Sequence, residues 1–261
     1  MGILDRFSLA GKVALVTGGA GLYGRQIVLA LAEAGARTFM AARNLTALEA
    51  QAAQWREQGI EVTPLQFDQA NEPSIYALRD TILAQAGQID ILVNNAVARP
   101  MQQGYESDLD TFAESMAVNA TGLFAITRAF GDAMAERGSG SIINIGSIYG
   151  FVGPDPTNYR GTDMAYWAPD YCFHKGGMAN YTRFLGSYYG RNGVRCNCVN
   201  PGGFQTPNHP EAFLRQYGDH TFLGRMANDT DLMGAIVFLA SDASAYITGE
   251  NLMVDGGYTQ K

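Results

Sequence analysis

Lysine is almost missing from this sequence: Lys12, Lys175 and Lys261 are all there are, and only Lys175 stands away from the chain ends. Charged residues of both signs make up 16% of the chain, against roughly 25% in an ordinary soluble domain. So little charge implies that part of the surface is covered in a homo-oligomer, a dimer or a tetramer. The formal charge of −7 excludes nucleic acid as a natural partner, because phosphate binding needs a basic surface. Cysteine is scarce too. Cys172, Cys196 and Cys198 give no disulfide framework. Cys196 and Cys198 put two thiols on one strand face, a pattern of core packing. A metal site would need further ligands, and the three histidines show no ligand spacing, so no metal is expected. No apolar run reaches the roughly 18 residues of a membrane span. The start, MGILDRFSLAGK, carries neither a signal core nor a cleavage pattern, and the expected location is cytoplasmic.

What the sequence does have is core-forming material, with 47% apolar residues in a chain of 261. Short β-branched runs at 12–17, 36–42, 61–67, 89–93, 140–146, 193–199 and 251–254 read as strands. Helical patterns alternate with them near 23–34, 44–58, 72–86, 108–137, 171–191 and 229–240. Strands separated by helices of this length make right-handed βαβ units. The expected fold is therefore α/β: a doubly wound, Rossmann-type parallel sheet of about seven strands with helices on both faces. Residues 1–261 read as a single dinucleotide-binding catalytic domain, with an inserted loop at 153–170 and a substrate lid at 201–226. Both irregular stretches follow strands, on the edge where open parallel sheets bind ligands.

The first strand runs into TGGAGLYG, Thr17 to Gly24, and then a helix. Glycines there let the backbone turn tightly and approach a pyrophosphate resting on the helix N-terminus. Gly18, Gly21 and Gly24 carry the spacing, followed in the turn by Leu22 and Tyr23. The acidic residue that normally reads an adenosine ribose is absent: the second strand ends at Ala42-Arg43 with no carboxylate. A small residue beside an arginine accepts a 2′-phosphate, so the cofactor reading leans to NADP(H) over NAD(H).

Tyr171 and Lys175, four residues apart, share one helix face. A phenol of pKa ~10 is a poor base, and bringing it to ~7 needs roughly 4 kcal/mol. A cation ~4 Å away supplies about that much at an effective dielectric near 20. Ser147 closes the buried run 141–147 with a hydroxyl at the ligand edge. Asn119 is a polar residue within an apolar helical pattern. Asn94, Asn95 and Ala96 follow the fourth strand candidate.

In this order, the glycine turn, Asn94-Asn95-Ala96, Asn119, Ser147, Tyr171-x-x-x-Lys175, Pro201-Gly202-x-x-x-Thr206 and Val254-Asp255-Gly256-Gly257 resemble the short-chain dehydrogenase/reductase family over nearly the whole chain. The resemblance implies a catalytic set in which Tyr171 exchanges the proton and Ser147 holds the substrate oxygen. Lys175 would bind the nicotinamide ribose and lower the tyrosine pKa, while Asn119 would hold a relay water. It implies a cofactor contacted by Gly18, Gly21, Leu22, Tyr23, Gly24, Ala42, Arg43, Asn95, Ala96, Tyr171 and Lys175. Asp68 would face adenine, and Thr206 with the backbone after Pro201 and Gly202 would meet the carboxamide.

The sequence departs from the family pattern in three places. Leu22 stands where the short branch has its middle glycine, giving a spacing similar to the extended branch, whose large C-terminal domain this chain has no length for. Val97 replaces the glycine after Asn-Asn-Ala. The segment 153–170 widens the interval between Ser147 and Tyr171, and its Tyr159–Met164 core is similar to sugar-modifying members. Polar residues expected near the substrate are Arg99, Tyr149, Asn158, Arg160, Asp163, Gln205, His209 and Arg215, with Tyr159 and Trp167 as stacking faces. Arginines there either clamp an anionic group or form lid salt bridges. The expected activity is NAD(P)-dependent hydride transfer on a small polar alcohol or carbonyl such as a sugar or sugar acid. The alternatives are a nucleotide-sugar-modifying reductase and a dinucleotide sensor without turnover.

Overall fold

The computed structural model describes residues 2–164 and 168–260. Seven parallel strands form one sheet: β1 (Val13–Thr17), β2 (Arg37–Ala42), β3 (Val62–Gln66), β4 (Ile91–Asn94), β5 (Gly140–Ile145), β6 (Val194–Pro201) and β7 (Asn251–Val254). Their spatial order is β3-β2-β1-β4-β5-β6-β7. The order reverses between β1 and β4, which opens a crevice at their carboxyl ends.

Strand alternation divides the core. Ala14 and Val16 of β1 face one side, with Ile143 and Ile145 of β5. There they meet α1 (Leu22–Glu33), α2 (Leu45–Arg56) and α8 (Met233–Ala240). Val13 and Leu15 face the other side, packing with α3 (Glu72–Ala86), α5 (Leu123–Arg137) and α6 (Pro169–Tyr189). Both faces are buried, which is why the strands read as continuous apolar runs. Local signals fix the helix ends. The Asn71 side chain caps α3 by accepting from Ser74 N at 3.0 Å. Pro169 opens α6 where its missing N–H costs nothing. Cys196 and Cys198 lie buried in β6 and Cys172 is half-buried; all three are free thiols. No described helix is long and apolar enough to cross a membrane.

Two expectations need correction. The single helix read over 108–137 is α4 (Leu109–Met116), a π-helical stretch Ala117–Gly122, and α5. Gly122 makes this possible, because a Cβ there would lie 2.2 Å from the Gln69 carbonyl oxygen. The Gln69 amide in turn donates to the Val118 carbonyl at 3.0 Å. The lid, read as irregular, contains the helix α7 (Glu211–Asp219), which buries Phe213 and Tyr217 one turn apart.

The described part of the inserted loop packs onto that lid. Tyr159 joins Ile148, Phe213, Tyr217, Met226 and Tyr258 in one apolar cluster. Polar ties pin its rim: Asn158 donates to Tyr258 Oη at 2.8 Å, Gln216 to the Arg160 carbonyl at 2.8 Å, and His220 lies 3.1 Å from Asp155.

Candidate active site

A cleft of about 750 Å³ runs from the glycine turn, past the ends of β4 and β5, to the inserted loop and lid. Its first wall is mostly backbone. Gly18 turns at φ +67°, where only glycine is comfortable, and a Cβ on Gly24 would lie 2.1 Å from the Gly18 oxygen. Leu22 opens α1, its backbone needing no left-handed conformation, and its side chain is 48% exposed in the cleft. This is how a leucine is tolerated in the turn. Asn95 holds the turn in place: its amide donates to the carbonyls of Thr17 (2.8 Å) and Gly18 (3.1 Å). The Thr17 hydroxyl accepts from the Asn95 and Ala96 N–H groups at 3.0 and 2.9 Å. The role of Asn95 is thus to staple β1 to β4 beneath the crevice.

At the other end stand Ser147, Tyr171 and Lys175, all lining the cleft. The Lys175 ammonium is buried, donates to the Ile145 carbonyl, and lies 5.6 Å from the Tyr171 ring centre. Burial pushes that ammonium down, partly opposed by the tyrosine. The Arg99 guanidinium sits over the same ring, 4.5 Å from its centre. Burial alone would raise the Tyr171 phenol. The Lys175 and Arg99 charges, with hydrogen bonds from Ser147 and Arg99, outweigh it and hold the phenol below its ordinary value. His174 presses its ring edge-on to Tyr171 at 5.2 Å, and burial drives its imidazole down to about 3, so it stays neutral.

Asn119 lies buried on the π-helical turn, a feature frequent at functional sites, behind the cleft and outside its lining. Both amide atoms of its side chain are hydrogen-bonded. Nδ2 donates to the Ala98 carbonyl (2.8 Å) and to Ser115 Oγ (3.0 Å), and Oδ1 accepts from Ala98 N (2.9 Å). Ser115 donates onward to the buried carboxylate of Asp170 at 2.5 Å. The chain of bonds Asp170–Ser115–Asn119–Ala98 fixes the segment that carries Arg99. Sequence reading missed Asp170 and Ser115. The signal was a carboxylate directly before Tyr171 and a serine one turn before Asn119.

The remaining expected residues divide. Tyr23, Ala42, Ala96, Tyr149, Pro201, Gly202, Thr206 and His209 line the cleft. Arg43 is exposed beyond the end of β2, and Asp68 is half-buried just after β3, its carboxylate accepting from Ala70 N at 3.0 Å. Neither lines the cleft. Arg160, Asp163, Gln205 and Arg215 are exposed outside it, and Asn158 is buried against Tyr258. The loop instead offers the cleft Tyr159, whose hydroxyl meets that of Tyr149 at 2.9 Å, and Met164. Trp167 lies outside the described residues. Among those residues, no three His, Cys, Asp or Glu side chains gather in a way that could hold a metal.

A glycine turn under uncapped helix N–H groups, at the switch point of a parallel sheet, fits a dinucleotide. With a cation-flanked tyrosine at the far end of the same crevice, the class is a dinucleotide-dependent oxidoreductase. A family model described as enoyl-(acyl carrier protein) reductase matches residues 21–259. D-threitol dehydrogenase of Mycolicibacterium smegmatis is 36% identical over 259 residues, 98% of this chain and 95% of that protein. Galactitol 2-dehydrogenase (L-tagatose-forming) of Cereibacter sphaeroides is 34% identical, with 97% of each chain covered. Among solved structures, a gluconate 5-dehydrogenase from Burkholderia cenocepacia in complex with NADP and tartrate superposes with a TM-score of 0.87, at 32% identity over the full length of both chains. The chain belongs to the short-chain dehydrogenase/reductase family. It is an NAD(P)-dependent dehydrogenase acting on a CH–OH group.

Proposed function

We propose that this enzyme interconverts a secondary alcohol and its carbonyl on a sugar acid or related polyhydroxylated substrate. The observation that carries the reading is the Arg99 guanidinium over Tyr171, in a pocket rimmed by the paired hydroxyls of Tyr149 and Tyr159. A cation beside the proton-exchanging phenol receives a carboxylate, and hydroxyls receive hydroxyls. The named relatives act on polyols and a sugar acid, which supports the same class. In this reading residues 1–261 are one catalytic domain, the segment 153–170 being its substrate loop and 201–226 its lid.

The bound nicotinamide would supply or accept the hydride. Gly18, Gly21, Leu22 and Gly24 would hold its pyrophosphate at the start of α1, Asp68 would face its adenine, and Pro201, Gly202 and Thr206 its carboxamide. Ser147 holds the substrate oxygen against Tyr171 Oη. In oxidation, the Tyr171 phenolate, stabilised by Lys175 and Arg99, takes the alcohol proton and becomes the phenol; in reduction, the phenol gives its proton to the carbonyl oxygen and the same two cations stabilise the phenolate it leaves. Asn119 contributes by fixing the backbone at Ala98 and would hold the relay water.

NADP(H) is the favoured cofactor. Arg43 makes no ion pair with a described residue, and Ala42 leaves its end of the cleft without a carboxylate. A homo-oligomer is supported by an exposed aromatic ladder on α5 and α6, where Tyr181, Phe184 and Tyr188 stack in succession beside Phe124. Assaying matched sets of sugar acids, polyols and apolar secondary alcohols with both cofactors tests the reading. Highest kcat/KM on a polyhydroxylated acid is expected, and a preference for apolar alcohols would refute it.

A further inference from the structure

The atypical turn puts a tyrosine on the first helical turn of α1, and that tyrosine does more than line the cleft. Tyr23 Oη donates to the Gly202 carbonyl at 2.7 Å, across the crevice, and its ring meets Phe204 edge-on at 5.2 Å. Burial raises the phenol far above assay pH, so it remains a donor. One turn further along α1, buried Gln26 grips the segment that directly follows the lid. Its amide donates to the Asn228 carbonyl at 3.3 Å, and its oxygen accepts from Leu232 N at 3.2 Å. Between these two grips the lid is closed on itself. Ala227 N donates to the Gly203 carbonyl at 2.9 Å and Gln205 N to the Ala227 carbonyl at 2.8 Å. The base of the lid is thus a zipped neck, and α1 holds both of its strands.

From this geometry we infer that Tyr23 and Gln26 are positioning residues that clamp the substrate lid to the helix receiving the cofactor. The lid carries Thr206, His209 and Phe213 into the cleft. Movement of the α1 N-terminus on dinucleotide binding is therefore transmitted to the substrate wall, and an opening lid pulls on the cofactor seat. Anything that binds one arrangement of α1 and lid better than the other biases both sites together. The inference rests on the reading that the glycine turn holds the pyrophosphate.

The test is cofactor release, followed by stopped-flow fluorescence of NADPH or NADH, whichever binds more tightly, in the wild type and in Tyr23→Phe, Gln26→Leu and the double variant. Tyr23→Phe removes one hydrogen bond and keeps the ring. Its release rate should rise on the order of five-fold, the equivalent of one ordinary hydrogen bond. Gln26→Leu touches no part of the dinucleotide seat, yet it too should speed release and raise the substrate KM more than it lowers kcat. Release rates within experimental error of the wild type in both single variants, even with a lower melting temperature, would overturn the clamp. A wild type that binds neither dinucleotide would contradict the reading of the turn itself, which keeps the two failures apart.

Discussion

The two walls of the cleft are built from different materials. The cofactor wall is backbone: glycines at the end of β1, helix N–H groups, and an asparagine whose amide is spent on main-chain carbonyls. The substrate wall is side chain: Arg99, Tyr149, Tyr159, His209 and Phe213, held by an aromatic cluster of loop and lid. A backbone wall tolerates sequence change as long as the turn survives, and Leu22 shows this. A side-chain wall changes its ligand with every substitution. Tyr171 stands where the walls meet, with the cations of both Lys175 and Arg99 close to its ring.

Breaking the meeting point has the largest effect. Tyr171→Phe should leave fold and dinucleotide binding intact while turnover drops about a hundredfold or more, since the proton-transfer group is gone. Steady-state rates beside a dinucleotide titration check this. On the cofactor wall alone, Ala42→Asp with Arg43→Leu should shift the NADP(H):NAD(H) ratio of kcat/KM by at least about tenfold toward NAD(H), the worth of a charge-assisted hydrogen bond. The substrate spectrum should not move.

On the substrate wall, Arg99→Gln removes one of two cations holding the Tyr171 phenol down. Oxidation needs the phenolate, so its rate rises as pH climbs through the phenol pKa. Losing Arg99 raises that pKa and moves the onset of oxidation to higher pH. A pH–rate profile reads it, and the KM of a sugar acid should rise more than that of a neutral polyol. Shortening the loop within 153–164 should raise substrate KM several-fold and leave cofactor affinity alone. An unchanged KM with an altered oligomer mass would assign the loop to a subunit contact. The smallest effect is expected behind the walls. Ser115→Ala cuts the Asp170–Ser115–Asn119 chain and should cost about 1–2 kcal/mol in denaturant unfolding, with a modest loss of kcat.

The same division decided what the sequence could tell. All seven strands stand where β-branched runs predicted them, and the backbone wall follows from them, because a glycine turn after β1 has one place to be. Tyr171, Lys175 and Ser147 were legible as a helix-face pair and a strand-ending hydroxyl. The substrate wall was not. Arg160 and Asp163 have the right chemistry for a polar pocket, but loop packing on α7 turns Tyr159 inward and leaves them exposed. Helix α7 hid in a stretch that read as irregular, although Phe213 and Tyr217 one turn apart mark its buried face. The π-helical turn has no local signature; it depends on Gly122 meeting Gln69 from a distant loop.

The most direct test of Tyr171 as the working base is an ultraviolet titration of tyrosinate in the wild type and in Tyr171→Phe. The account predicts one tyrosine ionising below the ordinary phenol value of ~10, present in the wild type and missing from the variant. A titration without such a group, or one that persists unchanged in Tyr171→Phe, would contradict it.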